Sequence, residues 1–220
     1  MLPVSCANLA VILRDRTDLE TRRVIRKELM YLSFIDTTER QVVNQTPFGQ
    51  AIAAIAAQAA DLLHDAGHPF GWHDGGCRIL AEALQTWSEG TLQLGCSGRD
   101  QAGPPSHFFA VLETQPGLPS LCIDADGLAL EHEFLEKIRF FEMSHESIIA
   151  VYPGDAPASA EIIRDPDLSA RVAALCSERI GPFQGWRADL LQRGLAAGQE
   201  YVADSAADAE RMAAIDGMRL

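Results

Sequence analysis

The run from Asp74 to Leu84 constrains the fold of this chain more than any other, because a cysteine follows two glycines and opens an amphipathic stretch. The apolar residues after the cysteine recur at helical spacing: Ile79, Leu80, Ala83, Leu84 and Trp87. Cys77 would then lie at a helix N-terminus, where unpaired N–H groups and the helix dipole favour the thiolate. Gly75 and Gly76 leave room for substrate close to the backbone. The run therefore predicts a reactive thiol at the start of a core helix.

A histidine and an aspartate follow the cysteine in an order that suits nucleophilic catalysis. Such chemistry needs a deprotonated thiol, an imidazole within hydrogen-bond reach and a third group that orients the imidazole. His107 begins a predicted strand over 107–113, and Asp124 ends another over 120–124. Asp124 can face His107 if the two strands pair as a hairpin. Asp126 competes for the third role, because it has the same parity along the strand.

This order of elements resembles the papain-like cysteine hydrolase superfamily, which includes papain-type peptidases, transglutaminases and arylamine N-acetyltransferases. The resemblance covers about residues 70–145, and the short gaps are more similar to the compact transglutaminase or acetyltransferase arrangement than to papain. It implies a helix that begins with the nucleophile and packs on an antiparallel sheet. It also implies that Cys77 is the nucleophile, His107 the general base and then acid, and Asp124 the orienting carboxylate.

The chain departs from the papain-type pattern at the site that binds the oxyanion. Papain-type peptidases have a glutamine a few residues before the cysteine, and the segment 71–74 contains none. The backbone N–H of Cys77 could supply one donor, with Trp72 or His73 as the second. We therefore predict Trp72, His73 and Gly76 as substrate-binding residues. Packing is an equally good explanation for Trp72.

A metal site is the alternative interpretation of the same region, which contains six possible ligands: His64, Asp65, His68, His73, Asp74 and Cys77. Two histidines at positions i and i+4 share one helix face, as a zinc site could use. Gly67 and Pro69 are expected to end that helix, and the glutamate of an HExxH motif is missing. Solvated loop histidines explain the pattern better, so we predict neither a metal nor another cofactor.

The predicted architecture is α+β, with a helix-plus-antiparallel-sheet core at 67–152 between helical segments at 1–66 and 153–220, all in one compact unit. In the flanks, helices are predicted at 18–34, 46–64, 167–180 and 186–198, followed by an Ala-rich segment. Thr46 is expected to cap the second of them, with Pro47 at its first position. In the core, strands are predicted at 91–94, 107–113, 120–124 and 147–152, and helices at 77–87 and 131–143.

Composition narrows the classes of function and the expected compartment. The net charge is −13 and the chain has no dense Lys/Arg run, which argues against a nucleic-acid partner. Five cysteines without a CxxC pair make a complete disulfide framework unlikely and favour a reducing cytosol. The most apolar run, 51–63, is shorter than the roughly 20 residues of a membrane span. We expect a soluble, cytoplasmic protein without a membrane partner, although a specialised export system would leave no visible signal.

The sequence favours a cysteine-dependent hydrolase or acyltransferase that acts on an amide or thioester through a thioacyl-enzyme. Peptidase, deamidase and transglutaminase-like reactions all fit, and a protein or peptide is the expected substrate. The alternatives are a non-enzymatic helical adaptor with a degenerate core and a His/Cys zinc-binding protein. The substrate, the acceptor and the oligomeric state stay open.

Overall fold

The computed structural model of the chain describes residues 46–68, 71–98, 105, 107–142, 148–151 and 163–217. The helix predicted at 18–34 and the cysteine at position 6 lie outside these residues. Within them, helices and one antiparallel sheet confirm the predicted α+β class. No helix in the described ranges is both long and apolar enough to cross a membrane.

Five antiparallel strands form the sheet in the order β4-β3-β2-β1-β5. The strands are β1 (Gln93–Gly98), β2 (His107–Leu112), β3 (Leu121–Asp124), β4 (Gly127–Leu130) and β5 (Ile148–Val151). β2 lies at the centre, and every residue in it is buried. A strand covered on both faces reads as an unbroken apolar run rather than an alternating one. This is why 108–112 contains only Phe, Ala, Val and Leu.

In the part of the chain that the structure describes, five α-helices accompany the sheet, and a polar side chain caps the N-terminus of two of them. They are α1 (Pro47–Asp65), α2 (Cys77–Trp87), α3 (Glu131–Glu142), α4 (Pro166–Ile180) and α5 (Gln184–Gly217). The hydroxyl of Thr46 accepts a hydrogen bond of 3.1 Å from the N–H of Gly49, which confirms the predicted cap. The carboxylate of Asp165 caps α4 in the same way, through the N–H of Leu168 at 2.9 Å.

The sheet separates two hydrophobic clusters. On one face, α1, α2 and α4 share a cluster with the side chains of Ala110, Leu112 and Ile123. On the other face, α3 places Phe134 and Ile138 in a cluster with three strand residues: Phe109, Val111 and Cys122. Successive strand residues point to opposite faces, so β2 contributes to both clusters. Cys77, His107 and Asp124 lie at the end of the sheet where β2 begins.

The chain enters α2 through a π-helical turn, Trp72–Gly76, which the sequence does not predict. The N–H of Gly76 donates to the carbonyl of Gly71 at 3.1 Å and closes the turn. Gly75 has φ of 130°, a conformation that side chains disfavour. Its carbonyl accepts from the N–H of Ile163 at 3.2 Å, which ties the turn to the segment before α4. The turn holds the backbone before Cys77 in one conformation.

Three other elements differ from the sequence-based prediction. β1 runs from Gln93 to Gly98 rather than over 91–94, because its pairing with β2 and β5 continues beyond Leu94. The sequence does not predict β4, and Asp124–Gly127 forms the tight turn that joins it to β3. The C-terminal segment forms one helix, α5, rather than a helix and a separate Ala-rich stretch.

We expect Gly95→Ala to lower the free energy of unfolding by about 1–3 kcal/mol through overpacking. A Cβ atom at Gly95 would lie 2.6 Å from a methyl group of Val111 and 2.7 Å from the ring of Phe109, both buried. The control is Gly185→Ala in α5, where a Cβ would meet nothing within 4 Å. Urea unfolding followed by circular dichroism compares the two variants. Equal stability of Gly95→Ala and the wild type would contradict the packing described here.

Candidate active site

The structure brings Cys77, His107 and Asp124 together at one end of the sheet. Cys77 is the first residue of α2, His107 the first of β2, and Asp124 the last of β3. Because Ala110 pairs with Ile123 in the antiparallel ladder, His107 is a diagonal neighbour of Asp124 on the same sheet face. Cys77, at the start of α2, approaches these two residues from the other face of the sheet.

The three side chains form a continuous polar chain that is almost closed to solvent. The exposed fractions of Cys77, His107 and Asp124 are 4%, 5% and 4%. The Nε2 atom of His107 donates to Oδ2 of Asp124 at 3.3 Å. The His107 ring is also hydrogen-bonded to the Cys77 thiol. A nucleophilic thiol, its base and an orienting carboxylate need to be neighbours in this order.

The surroundings of Cys77 favour its thiolate. Burial by itself raises the pKa of the thiol, but the hydrogen bond and positive charge of His107 outweigh it. The backbone N–H groups of Phe108 and Arg78 add further hydrogen bonds to the sulfur. The net result is a pKa below the ordinary value of a cysteine. Donors from the first turn of α2 and from β2 therefore stabilise the same negative charge.

The pKa values of His107 and Asp124 move in the matching directions. Burial lowers the pKa of His107, but its hydrogen bonds and charge interactions with Asp124 and Cys77 raise it to about 9. Burial raises the pKa of the Asp124 carboxyl, and the charges of Lys137 and His107 together bring it below its usual range. The lowered pKa values of Cys77 and Asp124 and the raised pKa of His107 favour a thiolate, an imidazolium and a carboxylate in sequence.

Lys137 joins this site although the sequence analysis did not single it out. Its Nζ atom donates to Oδ2 of Asp124 at 2.5 Å and to Oδ2 of Asp126 at 3.1 Å. The sequence does contain an indication that Lys137 has charged partners, because it falls on the same helix face as the buried Phe134 and Ile138. A lysine on an apolar helix face must find partners for its charge, since an unpaired buried ammonium is costly.

The two aspartates of the β3–β4 hairpin share Lys137 and differ in their histidine partner. Asp124 contacts His107, whereas Asp126 lies 3.2 Å from Nε2 of His73. The ring of His73 is nearly parallel to that of His107, with centroids 6.2 Å apart and an angle of 13°. His73 is therefore at the site, and its side chain is 39% exposed.

Packing accounts for the other two residues that the sequence assigns to substrate binding. The indole N–H of Trp72 donates to the carbonyl of Ala56 at 2.6 Å, and the ring is buried in the core. A Cβ atom at Gly76 would lie 3.1 Å from the side chains of Leu63 and Trp72 and from the carbonyl of Gly71. The glycine thus allows α1 to pack closely against the turn. We leave Trp72 and Gly76 out of the proposed site.

Among the described residues, the ligand set considered for a metal does not form a cluster of possible ligand atoms. His68 lies 3.1 Å from Asp165 in a pair that ties α1 to α4, and His64 is exposed on α1. A different group, made of His73, His107 and Asp124, has possible ligand atoms within 4.8 Å of one another. The ammonium of Lys137, in contact with Asp124, would repel a cation placed there.

The other cysteines that the structure describes are buried, and their pKa values are raised rather than lowered. Burial raises the pKa of Cys96 to about 11 and that of Cys176 to about 12, and it raises the pKa of Cys122 well above the ordinary value. These thiols stay protonated at neutral pH, as expected of buried structural cysteines. Cys77 is distinguished from them by its His107 contact.

Comparison of the chain with protein-family models, with curated proteins and with solved structures found no match.

We expect the imidazole of His107 to titrate near pH 9, so that it is still protonated at about pH 8, where an ordinary histidine is neutral. Asp124→Asn should lower this midpoint, because the variant removes the negative charge beside Nε2. Histidine side-chain NMR across a pH series measures the midpoint, and His107→Gln assigns the signal. A midpoint at or below the ordinary value of about 6.5 would contradict the described ion pairs.

Proposed function

We propose that the protein is a cysteine-dependent hydrolase or acyltransferase that acts on an amide or thioester. The observation that carries the proposal is the buried chain from the Cys77 sulfur through His107 to Asp124. A buried structural cysteine needs no imidazole beside it and no carboxylate behind that imidazole. The opposite pKa shifts of thiol and imidazole are those expected of a nucleophile and its acid–base partner.

In the first half of the reaction, the thiolate of Cys77 attacks the carbonyl carbon of the substrate. A C–S bond forms and an electron pair moves to the carbonyl oxygen. When the tetrahedral intermediate collapses, the bond to the leaving amine or thiol breaks, and the imidazolium of His107 gives that group a proton. A thioacyl-enzyme and a neutral imidazole remain. Asp124 orients the ring and stabilises its protonated form without taking up the proton itself.

In the second half, His107 acts as a base. It takes a proton from water or from an amine as this acceptor attacks the thioester carbonyl, and the thiolate of Cys77 leaves. Water completes hydrolysis, as in a peptidase or deamidase, and an amine completes a transfer. The same three residues serve both outcomes, so the acceptor depends on what reaches the site.

His73 is the candidate donor for the oxyanion of the intermediate, because its ring lies beside that of His107 and is partly exposed. Trp72 is not a candidate, since its N–H already donates to Ala56.

The arrangement supports the resemblance to papain-like cysteine hydrolases, in which the nucleophile begins a helix, the histidine begins one strand and the acidic residue lies on the next. On this basis the substrate is a protein or peptide, and the reaction takes place in the cytosol. The net charge of −13 favours cationic over acidic substrates through long-range attraction.

We expect an activated ester such as p-nitrophenyl acetate to acylate the wild-type protein at Cys77. Nitrophenol release should then show a burst, and peptide mass spectrometry should find the acyl group on Cys77. Cys77→Ala should lose the burst, because no other described thiol is ionised at neutral pH. Cys176→Ala is the matched control and should keep it. Equal acylation of wild type and Cys77→Ala would sink the proposal.

The pH dependence of iodoacetamide labelling tests the state of the thiol. An ordinary thiol with a pKa of ~8.5 is about 1% ionised at pH 6.5, and the lowered pKa of Cys77 raises its thiolate fraction there. Its lower intrinsic nucleophilicity offsets part of this gain. We expect Cys77 to label at pH 6.5, and His107→Gln to move the midpoint upward by removing the positive charge. A wild-type midpoint near 8.5 would favour a non-enzymatic adaptor instead.

A further inference from the structure

We propose that Lys137 is a positioning residue of this site, and that its ammonium group holds Asp124 ionised and in place against His107. The inference rests on the proposed function and extends it to a residue that touches neither the thiol nor the imidazole. Asp126 takes part as the second partner of the ammonium group.

The contacts of Asp124 show how its carboxylate is held. Oδ2 accepts from both Nε2 of His107 and Nζ of Lys137, and Oδ1 accepts from the backbone N–H of Asp126 at 3.0 Å. Both oxygens therefore have donors, and one oxygen is shared by two cations. Rotation of the carboxylate away from His107 would break the contact with Lys137 as well.

Lys137 is itself fixed by its surroundings. Its side chain is 12% exposed, and its Nζ atom lies 4.7 Å from the centre of the Phe134 ring, one turn earlier in α3. The carboxylates of Asp124 and Asp126 bind it from the hairpin. A long flexible side chain is thereby held at one place, and α3 is connected to the end of β3.

The signs of charge alternate along the site, from the thiolate of Cys77 through His107, Asp124 and Lys137 to Asp126. Each buried charge therefore has an opposite charge as its neighbour, which is the condition for keeping ions out of water. Without the ammonium group, two carboxylates would face each other across a short hairpin. Like charges at such a distance favour protonation of one of them. A protonated Asp124 would no longer stabilise the imidazolium, and the thiolate would lose its partner.

The test compares the pH midpoint of Cys77 labelling by iodoacetamide in wild type, Lys137→Met and Lys137→Arg. Lys137→Met should move the midpoint upward by about one pH unit, because the carboxylate beside His107 loses its charge partner. Lys137→Arg keeps a positive charge that can bind both carboxylates, so it should recover most of the loss. A purely structural lysine would change the urea midpoint without moving the pH midpoint.

A second pair of variants covers the case in which Lys137→Met does not fold. Asp126→Asn and the double variant Asp126→Asn, Lys137→Met differ by the ammonium group alone, and the double variant avoids a pair of facing carboxylates. The double variant should again label with a higher pH midpoint than Asp126→Asn. A depressed midpoint in the wild type that stays unchanged in both lysine variants would overturn the role of Lys137 and leave the proposed function standing. An ordinary midpoint in the wild type would overturn both.

Discussion

The rest of the site depends on the hydrogen bond between His107 and Asp124. It lies where water is largely excluded, so the carboxylate interacts strongly with the imidazolium and needs compensation of its own. Lys137 supplies that compensation from α3, and the backbone of Asp126 supplies a further donor from the hairpin. The charge on the Cys77 sulfur is stabilised at the other end of the same chain. A change in one member therefore alters the protonation of its neighbours.

The fold holds these groups on short, well-defined elements. Two residues of the site begin or end strands of one antiparallel ladder, and the third follows a π-helical turn that Gly75 and Gly76 make possible. The hydrogen bond between Gly75 and Ile163 secures that turn from the C-terminal part of the chain. Sites built on such elements hold their geometry before substrate arrives, which lowers the cost of reaching the transition state.

Much of the fold could be predicted because its signals are local. A helix is predicted by the spacing of apolar residues in 77–87, and another by Thr46 followed directly by Pro47. Neither signal depends on the rest of the chain. The same holds for the apolar run of β2. The prediction failed where pairing between distant strands decides the structure. β1 extends to Gly98 because it pairs with β5 as far as that residue. β4 forms because Leu130 pairs with Leu121 across a short turn, and so short a turn gives no local signal for a strand.

The sequence alone was enough to predict the α+β class, the helix that Cys77 begins and the order of cysteine, histidine and aspartate. The contact of His107 with Asp124 rather than Asp126 follows from the three-dimensional structure. Both aspartates have the same parity along the strand, and the pairing register determines which of them lies beside His107. The tertiary structure also decided that Trp72 packs in the core, that His68 pairs with Asp165, and that Lys137 belongs to the site. Periodicity reports which face of an element is buried. It does not report which residues from other elements meet that face, because those contacts arise only when helices and strands pack together.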